Sequence, residues 1–169
     1  MSVTPTNDTL NIALRAFLMA VAPGVDVVQG LGNLVPMPSA PFIAFTPSAV
    51  RRLSTNHTSY AIDAQKAVTM PTEYSVQVDC YGPEAGDWAT AITALWRDQY
   101  GCDAMAPNSQ PLYSTDPMQM PLVNGEEAYE QRYTLTMLLQ FNPLVTLAQQ
   151  SALALAAELI SVDAEYPPQ

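Results

Sequence analysis

Leu10, Leu14, Phe17, Leu18 and Val21 fall on one face of a 3.6-residue period, with Asn7 placed to cap them and Pro23-Gly24 to end them. That spacing predicts a first helix. Val25 to Gln29 reads as a short strand, and a proline-punctuated loop from Gly30 to Pro41 leads to a strand over Phe42 to Thr46. Val50 to Thr55 extends that strand or begins its partner. No period emerges from Ile62 to Pro71, which reads as loop or irregular edge. From Glu73 to Tyr81 the period is two: Tyr74, Val76, Val78 and Cys80 share one face, and Ser75, Gln77, Asp79 and Tyr81 the other.

Gly82-Pro83 stops this strand, and Trp88, Ala91, Ile92, Leu95 and Trp96 resume helical spacing behind the acidic Glu84 and Asp87. Tyr100 to Pro121 holds Pro107, Pro111, Pro117 and Pro121 and reads as a long loop with a short strand at Leu112 to Ser114. Asn124-Gly125 signals a tight turn before an alternation that runs from Tyr129 to Phe141. Thirteen extended residues span roughly 43 Å, so this strand is expected to project past its sheet as a hairpin arm. After Asn142-Pro143, Gln149 to Ile160 offers both helix propensity and an alternating leucine pattern; the helix is preferred. The expected class is α+β: an antiparallel or mixed sheet flanked by two or three helices, with a long β-hairpin arm and a long proline-rich loop. One domain covers 1–169, with a surface tail from about 164 to 169.

Composition narrows the function. Hydrophobic residues make up 49% and charged residues 13%, leaving little charge to dress an exposed surface and pointing to subunit contacts. Sixteen acidic against six basic residues give −10, which repels nucleic acid instead of holding it. The run Ile12 to Ala22 is broken by Arg15 and has no basic leader, so it suits an amphipathic helix better than a signal peptide. No stretch reaches the roughly 20 apolar residues of a membrane helix, and no membrane partner is expected.

Candidate chemistry is thin. Gly30-Leu31-Gly32 lacks the third glycine of a dinucleotide loop, since Val35 takes its place, and reads as a turn with positive φ. His57 is the one histidine; with Cys80 and Asp79 it would make a nucleophile, base and orienter. Yet Cys80 falls on the apolar strand face, where it packs as a small hydrophobe, and His57 lies in a polar loop-like stretch. Cys80 and Cys102 lack zinc-site spacing, so no cofactor or metal is expected. Glu126, Glu127 and Glu130, with Asp116 nearby in sequence, read as a solvated turn instead of a cation site. Trp88 and Trp96 read as core anchors. Arg51, Arg52, Arg97 and Arg132 are candidates for pairing across subunits with the acidic excess, or within the chain.

Four stretches together resemble the phage neck terminator family. They are Val27 to Asn33 with its proline-rich loop, Val78 to Pro83 running into Trp88 and Leu95 to Asp98, Pro121 to Glu126 with Tyr129 to Arg132, and Val162-Asp163 with Tyr166 to Pro168. The resemblance implies a non-enzymatic virion protein: a ring subunit, hexameric to match a hexameric tube, that closes the tail and gives the head connector a docking surface. The implied partners are further copies of the chain, the tail tube, a sheath protein where there is one, and head–tail connector or adaptor proteins. DNA would pass through without specific binding. In that ring Gly125 and Tyr129 of the hairpin arm and Arg51, Arg52, Arg97 and Arg132 are the candidate interface residues. Glu126, Glu127 and Glu130 are the candidate channel lining. The rivals are a twelvefold connector ring, a small cysteine hydrolase that needs an exposed Cys80, and a ligand-binding module that needs a sizeable pocket.

Overall fold

The computed structural model describes residues 2–30, 37–61, 65–105, 107–120, 122–123 and 129–149. In chain order these form β1 (Ser2–Thr4), α1 (Asn7–Val21), β2 (Asp26–Gln29), β3 (Phe42–Arg52), β4 (His57–Ala61), β5 (Gln65–Thr69), β6 (Thr72–Tyr81), α2 (Ala85–Trp96) and α3 (Gln99–Ala104). There follow β7 (Ser109–Ser114), β8 (Met118–Gln119), β9 (Leu122–Val123), β10 (Tyr129–Glu130), β11 (Arg132–Phe141) and β12 (Leu144–Ala148). The class is α+β, as the patterning predicts.

The main sheet has the order β2-β3-β6-β11-β7, with β8 pairing β11 beyond β7. Only β2 and β3 run parallel. β6 and β11 pair without a slip from Arg132↔Tyr81 to Phe141↔Thr72. Their period of two puts Tyr74, Val76, Val78, Cys80, Leu135, Met137, Leu139 and Phe141 in a single core with Leu10, Leu14, Phe17 and Leu18 of α1 and Ala85, Ala89, Ile92 and Trp96 of α2. Side-chain hydrogen bonds fasten the helices, among them Tyr74 O–H to Asn11 Oδ1 at 3.2 Å. Trp96 donates its Nε1–H to the Leu138 carbonyl at 3.2 Å, and Arg15 Nε donates to the Val27 carbonyl at 3.0 Å.

A second sheet, β1-β12-β5-β4, is antiparallel throughout. Three of its strands continue strands of the first: β4 follows β3, β5 precedes β6, and β12 follows β11. It therefore hangs from the Arg52–Thr72–Phe141 end of the main sheet. The seam is hydrogen-bonded, Leu53 N–H to the Pro71 carbonyl at 3.0 Å and Met70 N–H to the Pro143 carbonyl at 3.1 Å. At the other end, β9 and β10 form a small hairpin through Tyr129↔Val123 and Glu130↔Leu122.

Several expectations change. Thr6, not Asn7, caps α1, its Oγ1 accepting from Thr9 N–H at 3.2 Å. Residues 65–69 are a strand, not loop, and His57 starts a strand. Residues 100–121, expected as a long loop with a short strand at Leu112 to Ser114, hold most of α3 and β8 besides that strand, which begins earlier as β7 at Ser109; Pro111 fits because β7 is an outer strand of its sheet. The strand expected over Tyr129 to Phe141 breaks at Gln131, whose carbonyl accepts from Gly82 N–H at 3.1 Å. β11 is paired along its whole length, so it does not run past its sheet as an arm; among the described residues β9 and β10 form a separate ladder of two pairs. Gly30 does not have positive φ; a Cβ there would run into the Thr46 hydroxyl, so close approach explains the glycine. The expected Asn124-Gly125 turn, the helix over 149–160 and the C-terminal tail lie outside the described residues.

Candidate assembly surfaces

The best-built polar site lies on the sheet face away from the helices. Asp79 is buried there although it sits on the face predicted to be polar. Its Oδ1 accepts from Arg132 Nε at 3.0 Å, Arg132 Nη2 at 2.8 Å and Thr134 Oγ1 at 2.6 Å, and its Oδ2 from Gln77 Nε2 at 2.8 Å. A buried carboxylate needs such saturation, because each missing donor would leave desolvated charge uncompensated. The Arg132 guanidinium also lies over the Tyr81 ring at 5.6 Å, and Tyr81 stacks on Phe42 with centroids 4.3 Å apart. Four neighbouring strand positions thus lock the start of β11, one residue after the hairpin.

Several large apolar side chains are left in water near β9 and β10, as are others such as Ile12 and Tyr60 elsewhere. Tyr129 is 80% exposed, and Val123, Met118 and Met120 are exposed around it. A cleft of about 310 Å³ at the hairpin root is lined by Ala40, Gly82, Pro83, Tyr129, Glu130 and Gln131. Gly82 suits that root: its φ is +119°, and a Cβ added there would come 3.0 Å from the Pro41 Cβ, so a side chain would be strained.

The other candidate arginines are spread out. Arg51 pairs with Glu73 at 3.1 Å near the second sheet, with its side chain 70% exposed. Arg52 Nη2 donates to the Met70 sulfur at 3.4 Å. Arg97 caps the end of α2 with its guanidinium 5.3 Å from the Tyr113 ring. These do not converge with Arg132. Glu130 is half-buried in β10, and Gly125, Glu126 and Glu127 lie outside the described residues.

The hydrolase constellation does not assemble. Cys80 is fully buried, and burial, with the Asp79 charge second, pushes its thiol up to about 12, so it is protonated at neutral pH. His57 is on β4, beyond the Thr72 end of β6, which lies about 26 Å along the strand from Cys80. Among the described residues no three His, Cys, Asp or Glu side chains come together to hold a metal ion, and no helix is long and apolar enough to cross a membrane.

The sequence reading missed two features. The period of two puts Asp79 on a polar face; Thr134 directly opposite it and Arg132 diagonally across, opposite Tyr81, are the partners that go with its burial. The second sheet carries no one-sided burial, so it left no period to read. A family model described as phage neck terminator protein matches residues 8–164. No curated protein matches the chain.

Proposed function

The chain belongs to the phage neck terminator family, whose members are structural proteins of the virion neck that meet other tail and head proteins, and we propose that it forms the ring that ends the tail. In this reading six copies close a ring on the last layer of the tail tube, stop its growth, and present the opposite face to the head connector. A sheath protein, where the tail has one, abuts the same ring. The family match over 8–164 carries the reading.

The placement of surfaces supports it. A ring subunit needs contacts along the axis and contacts around it, and this chain offers the β9–β10 pair with its exposed Tyr129 and Val123 at one end of β11 and a second sheet at the other. We assign Tyr129 and the Gly125 turn to a contact with a neighbouring copy or layer, since an exposed aromatic on a short hairpin is a ready anchor for a pocket. Arg51, Arg52 and Arg97 keep their guanidinium groups near the surface, where they meet the acidic excess of adjacent copies. Arg132, held on Asp79, serves by fixing the hairpin root.

DNA passes through such a ring without being bound. A lining of carboxylates repels phosphates and leaves the duplex free to slide, over a range of about 8 Å at physiological salt. Glu126, Glu127 and Glu130 are the proposed lining. Averaging of virion necks without imposed symmetry tests the whole reading: six copies in one closed ring above the tube are expected. Twelve copies would make it a connector, and copies repeating along the tail would end the terminator reading.

A further inference from the structure

We propose that β1 and β4, the two outer strands of the second sheet, are the edges by which neighbouring copies join, β4 of one copy adding antiparallel to β1 of the next. The proposal rests on the ring reading above and names its seam. The partner is a second copy of this chain.

The first observation is that, among the described residues, both edges are open and unguarded. β1 and β4 each pair on one side only and every residue of both is exposed, so each strand turns a row of backbone N–H and C=O groups outward. Sheet proteins blunt such edges with lysine, proline, inward charges or bulges, because a bare edge recruits another strand. The main sheet follows that rule: β7 carries Pro111 beside a register shift, and β2 is four residues long and starts on Asp26. In contrast, β4 reads His-Thr-Ser-Tyr-Ala and β1 Ser-Val-Thr, with no such device in either.

Strand polarity supplies the second argument. With four strands antiparallel at every step, β1 and β4 run in opposite directions. A copy rotated about an axis along the sheet therefore presents its β1 to the first copy's β4 in antiparallel sense, and the pattern repeats without a parallel step. That is a heterologous contact, the kind that closes a ring. Register rows also carry across: Val3, Val145, Val68 and Thr58 form one row and Ser2, Thr146, Ala67 and Ser59 the next. Because side chains alternate strictly, a strand added in register continues both faces.

Charge gives the third. Copies of −10 repel one another, so their seam should lie where acidic groups are fewest. The four strands of this sheet contain no carboxylate and one charge, Lys66, whose ammonium lies 5.9 Å from the ring centre of Tyr60.

Thiol cross-linking tests the seam. In a Cys102→Ser background, with Cys80 buried, Ser2→Cys and Ser59→Cys are introduced singly and together, and assembled protein is treated with a short bis-maleimide. The double variant should give a denaturing-gel ladder that rises one subunit at a time and stops at the ring number, while each single variant stays monomeric. Dimers from Ser59→Cys alone would replace the proposal with a twofold β4–β4 contact. Rings seen by microscopy in a double-variant sample that does not cross-link would overturn the seam and leave the ring reading standing; absence of rings in solution and in virion necks would overturn both. A second variant needs no chemistry: Thr58→Lys puts a guard charge on an exposed position, so the monomer should keep its circular dichroism and lose at least tenfold in ring assembly. Normal assembly of Thr58→Lys would also overturn the seam.

Discussion

Phe17 of α1 meets Trp96 of α2 edge to face, with ring centroids 5.3 Å apart and planes at 64°. Both rings are buried, and Trp96 also reaches the backbone of β11 through its indole N–H, so this contact ties two helices and the central sheet at one point. Removing either ring opens a void under both helices.

Trp96→Ala should therefore cost about 3–5 kcal/mol in urea unfolding, the range for deleting a buried aromatic. Trp96→Phe keeps most of the ring and loses the donor to Leu138, so it should cost less, about 1–3 kcal/mol. Equal losses in the two variants would mean that the carbonyl contact, not the packing, dominates.

Asp79→Ala removes the acceptor of four hydrogen bonds and leaves Arg132 half-buried without its counter-charge. A loss of about 3–5 kcal/mol is expected from a broken buried pair. Because Arg132 starts β11 next to the hairpin, hydrogen exchange at Tyr129 and Glu130 should quicken more than at Val76 or Met137. Uniform quickening would deny the network its positioning role.

The Cys80 thiol gives a pH signature. Its folded pKa of about 12 lies above the ordinary thiol value of 9.0, so folding favours the protonated form. That contribution is complete below pH 9 and fades as pH rises from 9 towards 12, where the unfolded chain ionises and the folded one resists. The total is on the order of 4 kcal/mol for three pH units. Tyr74 and Tyr81, both raised chiefly by burial, add to the alkaline loss. Cys80→Ala should flatten the stability profile between pH 9 and 10.5, and iodoacetamide at pH 8 should label Cys102 well before Cys80.

The proposed assignment of Gly125 to an assembly turn, drawn from the Asn124-Gly125 pair in the sequence, predicts that Gly125→Val reduces incorporation into virions more than it reduces solubility. Normal incorporation would remove Gly125 from the assembly surface. Gly82→Ala acts at the hairpin root instead: strain at φ +119° together with the Pro41 contact should cost about 1–3 kcal/mol.

Legibility in the sequence followed one-sided burial. β11, α2 and β6 up to Val78 bury one face more deeply than the other, and the period of each is readable in the sequence. β4 is exposed on both faces and β5 is partly buried on both, so their side chains carry no alternation and 62–71 looked structureless. The prolines of 100–121 were read as breakers, although Pro111 sits where an outer strand tolerates it. Tyr129 falls within the long alternation expected over 129–141, but its place on a separate two-residue strand could not be read from that period. Asp79 was hidden because burial on its face is set by Arg132, more than fifty residues away in the chain.

The unbroken pairing of β6 with β11 has a mechanical consequence. One end of β11 leads back to the hairpin and the other runs on into the second sheet, so a pull between those two ends travels along a single backbone. Its hydrogen bonds lie across the strands, perpendicular to that pull. They are loaded together in shear instead of being unzipped one after another, which is the stiff direction of a sheet. Among the described residues such a pull would be resisted along the ten pairs of β6 and β11 and would first part β9 from β10, which share two residue pairs.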